Sequence, residues 1–380
     1  MHHSRHYDIV LLGATGFTGQ IIAKYLDEKA ISEGIKWAIA GRDEAKLAVL
    51  KANLTISNPD ILVFDIKNSS SIENVITQSV VVMNTVGPFN WYGRDVVKSC
   101  VEHQTHYIDI TGEPSFVAEM FIHYDVKAKA NQTAIVNCCG FDSIPADFAA
   151  WITAKKLPIS EPKTLQTYIR TNASFSGGTL TTAVHALYLE SQKKSIKHKV
   201  KRHPDAPKMI IKLHKSSDMG AWAIPMPVVD PHIVKRSVAS MPQDYGEAVS
   251  YGQYFVRSSF AKVLKTILSI ASIALLVRFK STRERLFKKF PSGSGPSQMK
   301  RDQSKFEVVC IGKTKTVTAR TVFSGGDPGY TETAKMMSES AFTLLDKVKN
   351  KSLTFGVLTP VQAFGQGLLD RLRNEGIHIE

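Results

Sequence analysis

The chain has little of what would announce a metal centre, an oxidised scaffold or a membrane span. Only four cysteines occur in 380 residues, Cys100, Cys138, Cys139 and Cys310. None shows C-x-x-C spacing, and no histidine pair stands beside Cys138 and Cys139. No metal site is therefore expected, and a reducing, cytoplasmic setting is. The first apolar run is too short for a signal peptide. No uncharged apolar run reaches the ~20 residues that cross a bilayer. No G-x-S-x-G elbow is present, and no Ser-His-Asp arrangement stands out. Acid is also scarce: 48 Lys and Arg against 34 Asp and Glu give a net charge of +14. The basic stretches Lys193–Lys215 and Arg278–Lys289 carry no nucleic-acid-binding motif, so nucleic acid is not expected.

What is present begins at the N-terminus. Tyr7–Leu12 is a short apolar run that ends in Gly13, Ala14, Thr15, Gly16, Phe17, Thr18 and Gly19. An amphipathic pattern, Gln20–Lys29, follows directly. Strand, glycine turn and helix is the order a dinucleotide site needs. The first glycine permits the turn, the second lets backbone approach a pyrophosphate, and the third lets helix and strand pack closely. Phosphates would then lie at a helix N-terminus. The next apolar run, Lys36–Ala40, exits into Gly41 and Arg42. A site for NAD usually holds an acid there, whereas arginine suits a 2′-phosphate. NADP is the expected cofactor, with Asp43 read as the cap of the following helix.

Further strands are expected at Ile61–Asp65, Val80–Thr85, Thr105–Ile110 and Ala134–Cys138, with helical patterns between them. This alternation predicts an α/β, Rossmann-type doubly wound parallel sheet, followed by an inserted α+β second domain. The expected boundaries are residues 1–145 for the NADP-binding domain, 146–325 for the inserted substrate or dimerisation domain, and 326–380 for a helical return to the first. Ligands of such sheets bind beyond the carboxyl ends of the strands. Asp65 would lie near adenine, and Val86, Gly87 and Pro88 would line the cofactor.

The later pattern is less regular. Lys163–Phe175 reads as a strand, and Leu180–Gln192 as a helix opened by Gly177–Thr179. Lys305–Gly312 and Lys315–Phe323 read as a hairpin turning at Lys313-Thr314, and Tyr330–Lys349 as a helix. Residues 193–300 read as irregular, apart from an apolar helix over 260–277. That helix is flanked by cations, which suits a membrane interface; a buried helix or a dimer contact remains open.

Several blocks together resemble the saccharopine dehydrogenase-like oxidoreductase family, which includes the trans-acting enoyl reductases. They are Gly13–Gly19, Ala40–Arg42, Asn84–Phe89, Tyr107–Glu113, Cys139–Pro145, Ser176–Thr179, Gly295–Ser297, Asp327–Glu332 and Gly356–Pro360. The resemblance covers nearly the whole chain. It implies a Rossmann domain, an inserted domain, a C-terminal return, NADP, and a peripheral tie to membrane or lipid. After Gly295–Ser297 the family usually runs on with acidic residues, whereas this chain has Gln298–Arg301.

The candidate catalytic groups are Tyr107, Asp109, Glu113 and Asp142, with Ser143 beside them. All follow the strands where nicotinamide chemistry would occur. Asp142 could equally cap the helix near Pro145, and Glu113 the one opening at Pro114. His103, His106 and Tyr330 are weaker candidates. The Tyr-x-x-x-Lys pair of short-chain dehydrogenases occurs at Tyr25 and Lys29, far from any nicotinamide. The expected activity is NADPH-dependent reduction of an enoyl or related bond in a lipid-like small molecule. A saccharopine-type C=N reductase and a non-catalytic, membrane-docking nucleotide binder stay open, as does a homodimer.

Overall fold

The computed structural model describes residues 5–173, 207–226, 228–276, 279, 282 and 295–380. The expected helix Leu180–Gln192, its Gly177–Thr179 opening and most of both basic stretches lie outside them. The chain divides into two units.

The first unit runs up to Ile144 and adds Pro328–Ile377. Its elements alternate as β1 (Tyr7–Leu12), α1 (Phe17–Glu33), β2 (Trp37–Gly41), α2 (Glu44–Ala52), β3 (Asp60–Val63), α3 (Ser69–Ile76), β4 (Ser79–Asn84), α4 (Phe89–Glu102), β5 (His106–Asp109), α5 (Pro114–Ala130) and β6 (Ala134–Val136). A seventh strand, Gly356–Leu358, completes a sheet of order 3-2-1-4-5-6 with that strand beyond β6. All its pairings are parallel. This is the expected Rossmann-type sheet. Ile9, Val10 and Leu11, and Val81, Val82 and Met83, are fully buried in succession, so these strands read as continuous apolar runs, as a sheet covered on both faces requires. The order reverses between β1 and β4, and the crevice at that reversal is where such sheets receive ligands.

The seventh strand escaped the sequence reading because three residues carry no periodicity. The following helix, Pro360–Asn374, has a capping box from Thr359 and Gln362. The helix Thr331–Lys349 is buried along most of its length and packs against α1, β4 and β5.

The second unit is Pro145–Asp327 with His378–Glu380. The helix Ile144–Lys155 leads into a mixed sheet of eight strands among the described residues. Its strands include β7 (Lys163–Thr171), β8 (Lys208–Met209), β9 (His214–Ser216), β10 (Ala221–Pro225), β11 (Val249–Arg257) and β12 (Phe306–Lys313), with β7 at the centre, flanked in parallel by β11 and antiparallel by β12. The expected hairpin forms between β12 and Thr318–Gly325, but its turn is longer than two residues, closing through Thr314 N–H to Val317 O at 2.9 Å. Glu380 and Val322 exchange backbone hydrogen bonds, so the last residues complete this sheet.

The irregular reading of 193–300 is corrected where residues are described. Strands form at Lys208–Met209, His214–Ser216, Ala221–Pro225 and Val249–Arg257, and a helix at Asp230–Ser240. The signal was hidden because β11 buries polar side chains as well as apolar ones. Gln253 is buried and accepts from Tyr251 at 2.8 Å while donating to Asp230 at 2.6 Å. The apolar helix forms over Phe260–Leu276 and is not buried: most of its long apolar side chains are exposed.

Candidate active site

β1 delivers the chain to Gly13, which sits in the left-handed region at φ 79°. A Cβ there would also press on Thr85 Oγ1 and Val86 Cγ2 at 2.8 Å. The turn is closed by Gly13 N–H to Ala40 O and Gly16 N–H to Gly13 O, both 2.9 Å. Gly19 lies so close that its Cβ would stand 2.2 Å from Gly13 O. Two of the three glycines are thus required by packing within the chain. The third, Gly16, is the N-cap of α1, which has no side-chain cap and no acid in its first turn. A helix start left so is suited to an anion. Phe17 meets the buried Tyr330 edge-on, with ring centroids 5.0 Å apart. Ala14 is buried, and Thr15 and Thr18 are half-buried.

Arg42 is exposed directly after β2. Asp43 caps α2, accepting the Lys46 N–H at 3.1 Å. Asp65 is exposed and accepts the Lys67 N–H at 3.0 Å in a local turn. On the neighbouring strand exit, Thr85 Oγ1 donates to Leu12 O at 2.7 Å, tying β4 to β1. The Val86 N–H donates to Asn84 Oδ1 at 3.0 Å. A Cβ on the exposed Gly87 would meet only Phe89, at an ordinary 3.6 Å, so the chain itself does not demand glycine there. Pro88 is the N-cap of α4.

Beneath this surface lies a buried polar chain. Asn84 Nδ2 donates to Tyr107 Oη at 3.1 Å, and Tyr107 donates to Asp109 Oδ2 at 3.0 Å. Asn137 Nδ2 reaches the same oxygen at 2.7 Å. Asp109 Oδ1 takes the backbone N–H of Cys138 at 2.9 Å and of Thr111 at 3.1 Å. Burial pushes the Asp109 carboxyl up to about 6, against these hydrogen bonds, which favour its charged form. Burial and the neighbouring Asp109 charge raise the Tyr107 phenol well above its ordinary range. Tyr107 and Asp109 are fully buried, so they organise the strand ends rather than face a ligand. Cys138, held by Asp109, has φ 63°, a strained setting for a side-chain-bearing residue.

Glu113 is buried too. Its oxygens accept the backbone N–H of Phe89 at 2.7 Å and of Asn90 at 3.0 Å, with the Asn90 amide adding a further bond. It caps α4, not the helix it precedes, whose N-cap has no side-chain bond. Asp142 differs from all of these. The residue as a whole is exposed, although the protein packed around its carboxyl desolvates that group enough to push it up to about 6. It rests on Gly112, where a Cβ would meet Asp142 Oδ2 at 2.9 Å. Ser143 is buried and donates to the Asp142 carbonyl.

His103 pairs with Glu73 at 3.3 Å, and His106 Nδ1 accepts the Ala134 N–H at 3.1 Å. Both serve the fold. Three positions escaped the sequence reading of the site: Asn84, Asn137 and Thr333. Thr333 donates to Pro328 O at 2.7 Å and accepts the Phe141 N–H at 3.1 Å, holding the loop after β6. A polar residue at the inward end of an apolar strand, as at Asn84, was the available signal.

Residues 9–136 match the family model described as the saccharopine dehydrogenase NADP binding domain. A Bos taurus protein named saccharopine dehydrogenase-like oxidoreductase is 29% identical over 98% of this chain and 96% of its own. A Mycobacterium tuberculosis protein, provisionally named a trans-acting enoyl reductase, is 28% identical over 99% and 97%. A Caenorhabditis elegans protein named for lipid droplet localisation is 28% identical over 98% and 97%. Among solved structures, apo saccharopine dehydrogenase (L-Glu forming) from Saccharomyces cerevisiae shares the fold, with TM-score 0.58 over 98% of this chain and 99% of that one at 13% identity. End to end, on a sheet whose glycine turn lies at the reversal of strand order, the chain is thus similar to saccharopine dehydrogenase-like oxidoreductases, with residues 9–136 matching their NADP binding domain.

Proposed function

We propose that the chain is an NADPH-dependent reductase acting on an enoyl or related bond of a lipid-like substrate. The observation that carries the redox reading is the uncapped start of α1 behind a turn that two glycines shape by necessity. Gly13 to Gly19 would hold the pyrophosphate, Arg42 the 2′-phosphate, and Val86, Gly87 and Pro88 the nicotinamide half. Bound NADPH supplies the hydride. Asp142 then holds the proton, because it alone among the four candidate acids and phenols is an exposed residue while its carboxyl is raised. Asp109 and Tyr107 fix the strand ends around it, and Glu113 fixes α4.

The lipid-like substrate rests on the names of the mycobacterial and nematode relatives and on the arginines. A dicarboxylic amino acid calls for converging guanidinium groups. In the second unit, Arg170 pairs with Glu307 at 3.3 Å and Arg257 donates to Thr266 at 3.0 Å, so both are engaged by their own unit.

The test is a titration with NADPH and NADH, followed by turnover of enoyl thioesters with NADPH and of saccharopine with NADP+. Tight NADPH binding that Arg42→Ala weakens at least about tenfold, with NADH little changed, supports the cofactor assignment. NADPH oxidation by an enoyl acceptor supports the reaction. Robust turnover of saccharopine overturns the substrate reading. Binding without turnover of any acceptor leaves a nucleotide-binding, non-catalytic protein.

A further inference from the structure

The helix Phe260–Leu276 is held at its start and bare beyond it. Val263 is fully buried, Phe260 packs on Trp222 with ring centroids 5.0 Å apart, and Thr266 accepts from Arg257. Phe260, Leu264, Ile267, Leu268 and Leu275 fall at i, i+4, i+7, i+8 and i+15, which is one face of a helix. Each is exposed, from 42% at Ile267 to 59% at Leu268. The opposite face carries Lys262, Lys265, Ser269 and Ser272. Ile270, Ile273 and Leu276, also exposed, lie outside that face and widen the apolar surface around the helix.

An aliphatic face of this extent in water is unfavourable and calls for a cover. At 17 residues the helix is about 25 Å long, shorter than the ~30 Å hydrocarbon core. Among the described residues no helix is long and apolar enough to cross a membrane. The sequence in and after the helix is cationic. No acid occurs in the helix, and the sequence continues through Arg278, Lys280, Arg283, Arg285, Lys288 and Lys289 with Glu284 as the one acid in that run. A second copy of the chain would bring like charge to like charge. An anionic phospholipid leaflet offers both an acyl layer for the leucine face and headgroups for the lysines.

We propose that this helix lies in the plane of an anionic phospholipid leaflet and anchors the second unit there. The leucine face enters the headgroup–acyl boundary, and Lys262 and Lys265 extend back to the phosphates. The anchor stands independently of the redox reading, since none of its residues belongs to the cofactor site.

The full chain is mixed with phosphatidylcholine vesicles, or with vesicles that also contain phosphatidylserine, and floated on a density gradient. The anionic vesicles should carry the protein up and the neutral ones much less. Leu264→Glu with Leu268→Glu and Leu275→Glu should cut the floated fraction about tenfold. These positions already face solvent, and an unchanged thermal midpoint checks that the variant folds. Lys262→Glu with Lys265→Glu should weaken flotation on anionic vesicles selectively, as should raised salt. Equal flotation of parent and leucine variant overturns the proposal, as does no flotation at all. A protein that stays down and sediments as a dimer, which the leucine variant makes monomeric, assigns the face to a second copy instead. NADPH titration of the same samples separates failure here from failure of the reductase reading.

Discussion

The Glu113 carboxylate accepts the backbone N–H of Phe89 at 2.7 Å, from the loop after β5 to the first turn of α4. Its other oxygen takes the Asn90 N–H. α4 has Pro88 as N-cap, which offers no side-chain acceptor, so a distant acid does what a local Ser or Asp usually does. A negative charge there also complements the helix dipole. Glu113→Ala should therefore lower stability by about 2 kcal/mol in chemical denaturation, and Glu113→Gln by about half as much. If Glu113→Gln abolishes turnover with no change in midpoint, the carboxylate acts on substrate and this reading fails.

That relationship shows where legibility in the sequence ends. The glycine turn and the six alternating strands were readable because each is a local signal: periodicity, or punctuation at a strand end. Glu113 was also singled out, but its partners lie over twenty residues away, so nothing in its own neighbourhood distinguishes a cap from a catalyst. The same limit applies to Asp109, whose hydrogen-bond partners Asn137 and Cys138 come from the loop after β6. β11 was lost because its polar positions are satisfied by Asp230 and by one another, which destroys the alternation a reader looks for. The apolar helix was legible as a helix, but whether it is covered is a tertiary fact.

Asp109 makes stability depend on pH in an unusual direction. Its carboxyl is raised from 3.8 to about 6 in the folded chain, so the folded state binds the proton more tightly than the unfolded state. The contribution is therefore fully present below about pH 4 and is lost as pH rises through about 6. Some two units correspond to roughly 3 kcal/mol as an upper figure. Asp109→Asn removes this titration. It also turns a donor toward Asn137, Tyr107 or the backbone N–H groups, at a cost of about 2 kcal/mol. Urea unfolding at pH 4.5 and 7 should show a deficit for the variant that narrows at the higher pH. A deficit that is constant or widens would refute the assignment.

The two glycines that packing requires, Gly13 and Gly19, should behave differently from Gly16 between them. A Cβ at Gly19 would meet Gly13 O at 2.2 Å and Ala14 O at 3.0 Å, both backbone atoms that cannot swing aside. Gly19→Ala should cost about 3 kcal/mol or more, read as a lowered midpoint even without nucleotide. Gly16 has φ −71° and its Cβ would approach Gly13 O only to 3.2 Å. Gly16→Ala should fold nearly as well as the parent and lose at least about tenfold in NADPH affinity, because its methyl occupies the approach to the pyrophosphate. Equal effects of both substitutions on the midpoint would mean that the turn serves packing alone.

Asp142 carries the sharpest test of the chemistry. A group that delivers a proton must hold one at the working pH, and a carboxyl raised to about 6 does so on the acid side of neutrality. With an enoyl acceptor, kcat/KM should be level below about pH 5.5 and fall as pH rises through about 6. Asp142→Asn keeps the shape of the side chain and its rest against Gly112 but holds no titrating proton. It should lower kcat by about 100-fold or more and flatten the pH profile, with NADPH affinity within about threefold of the parent. A variant that is slow but keeps the parent's pH dependence would place the titrating acid elsewhere. The buried Asp109 would then be the next group to examine, through the same profile in Asp109→Asn.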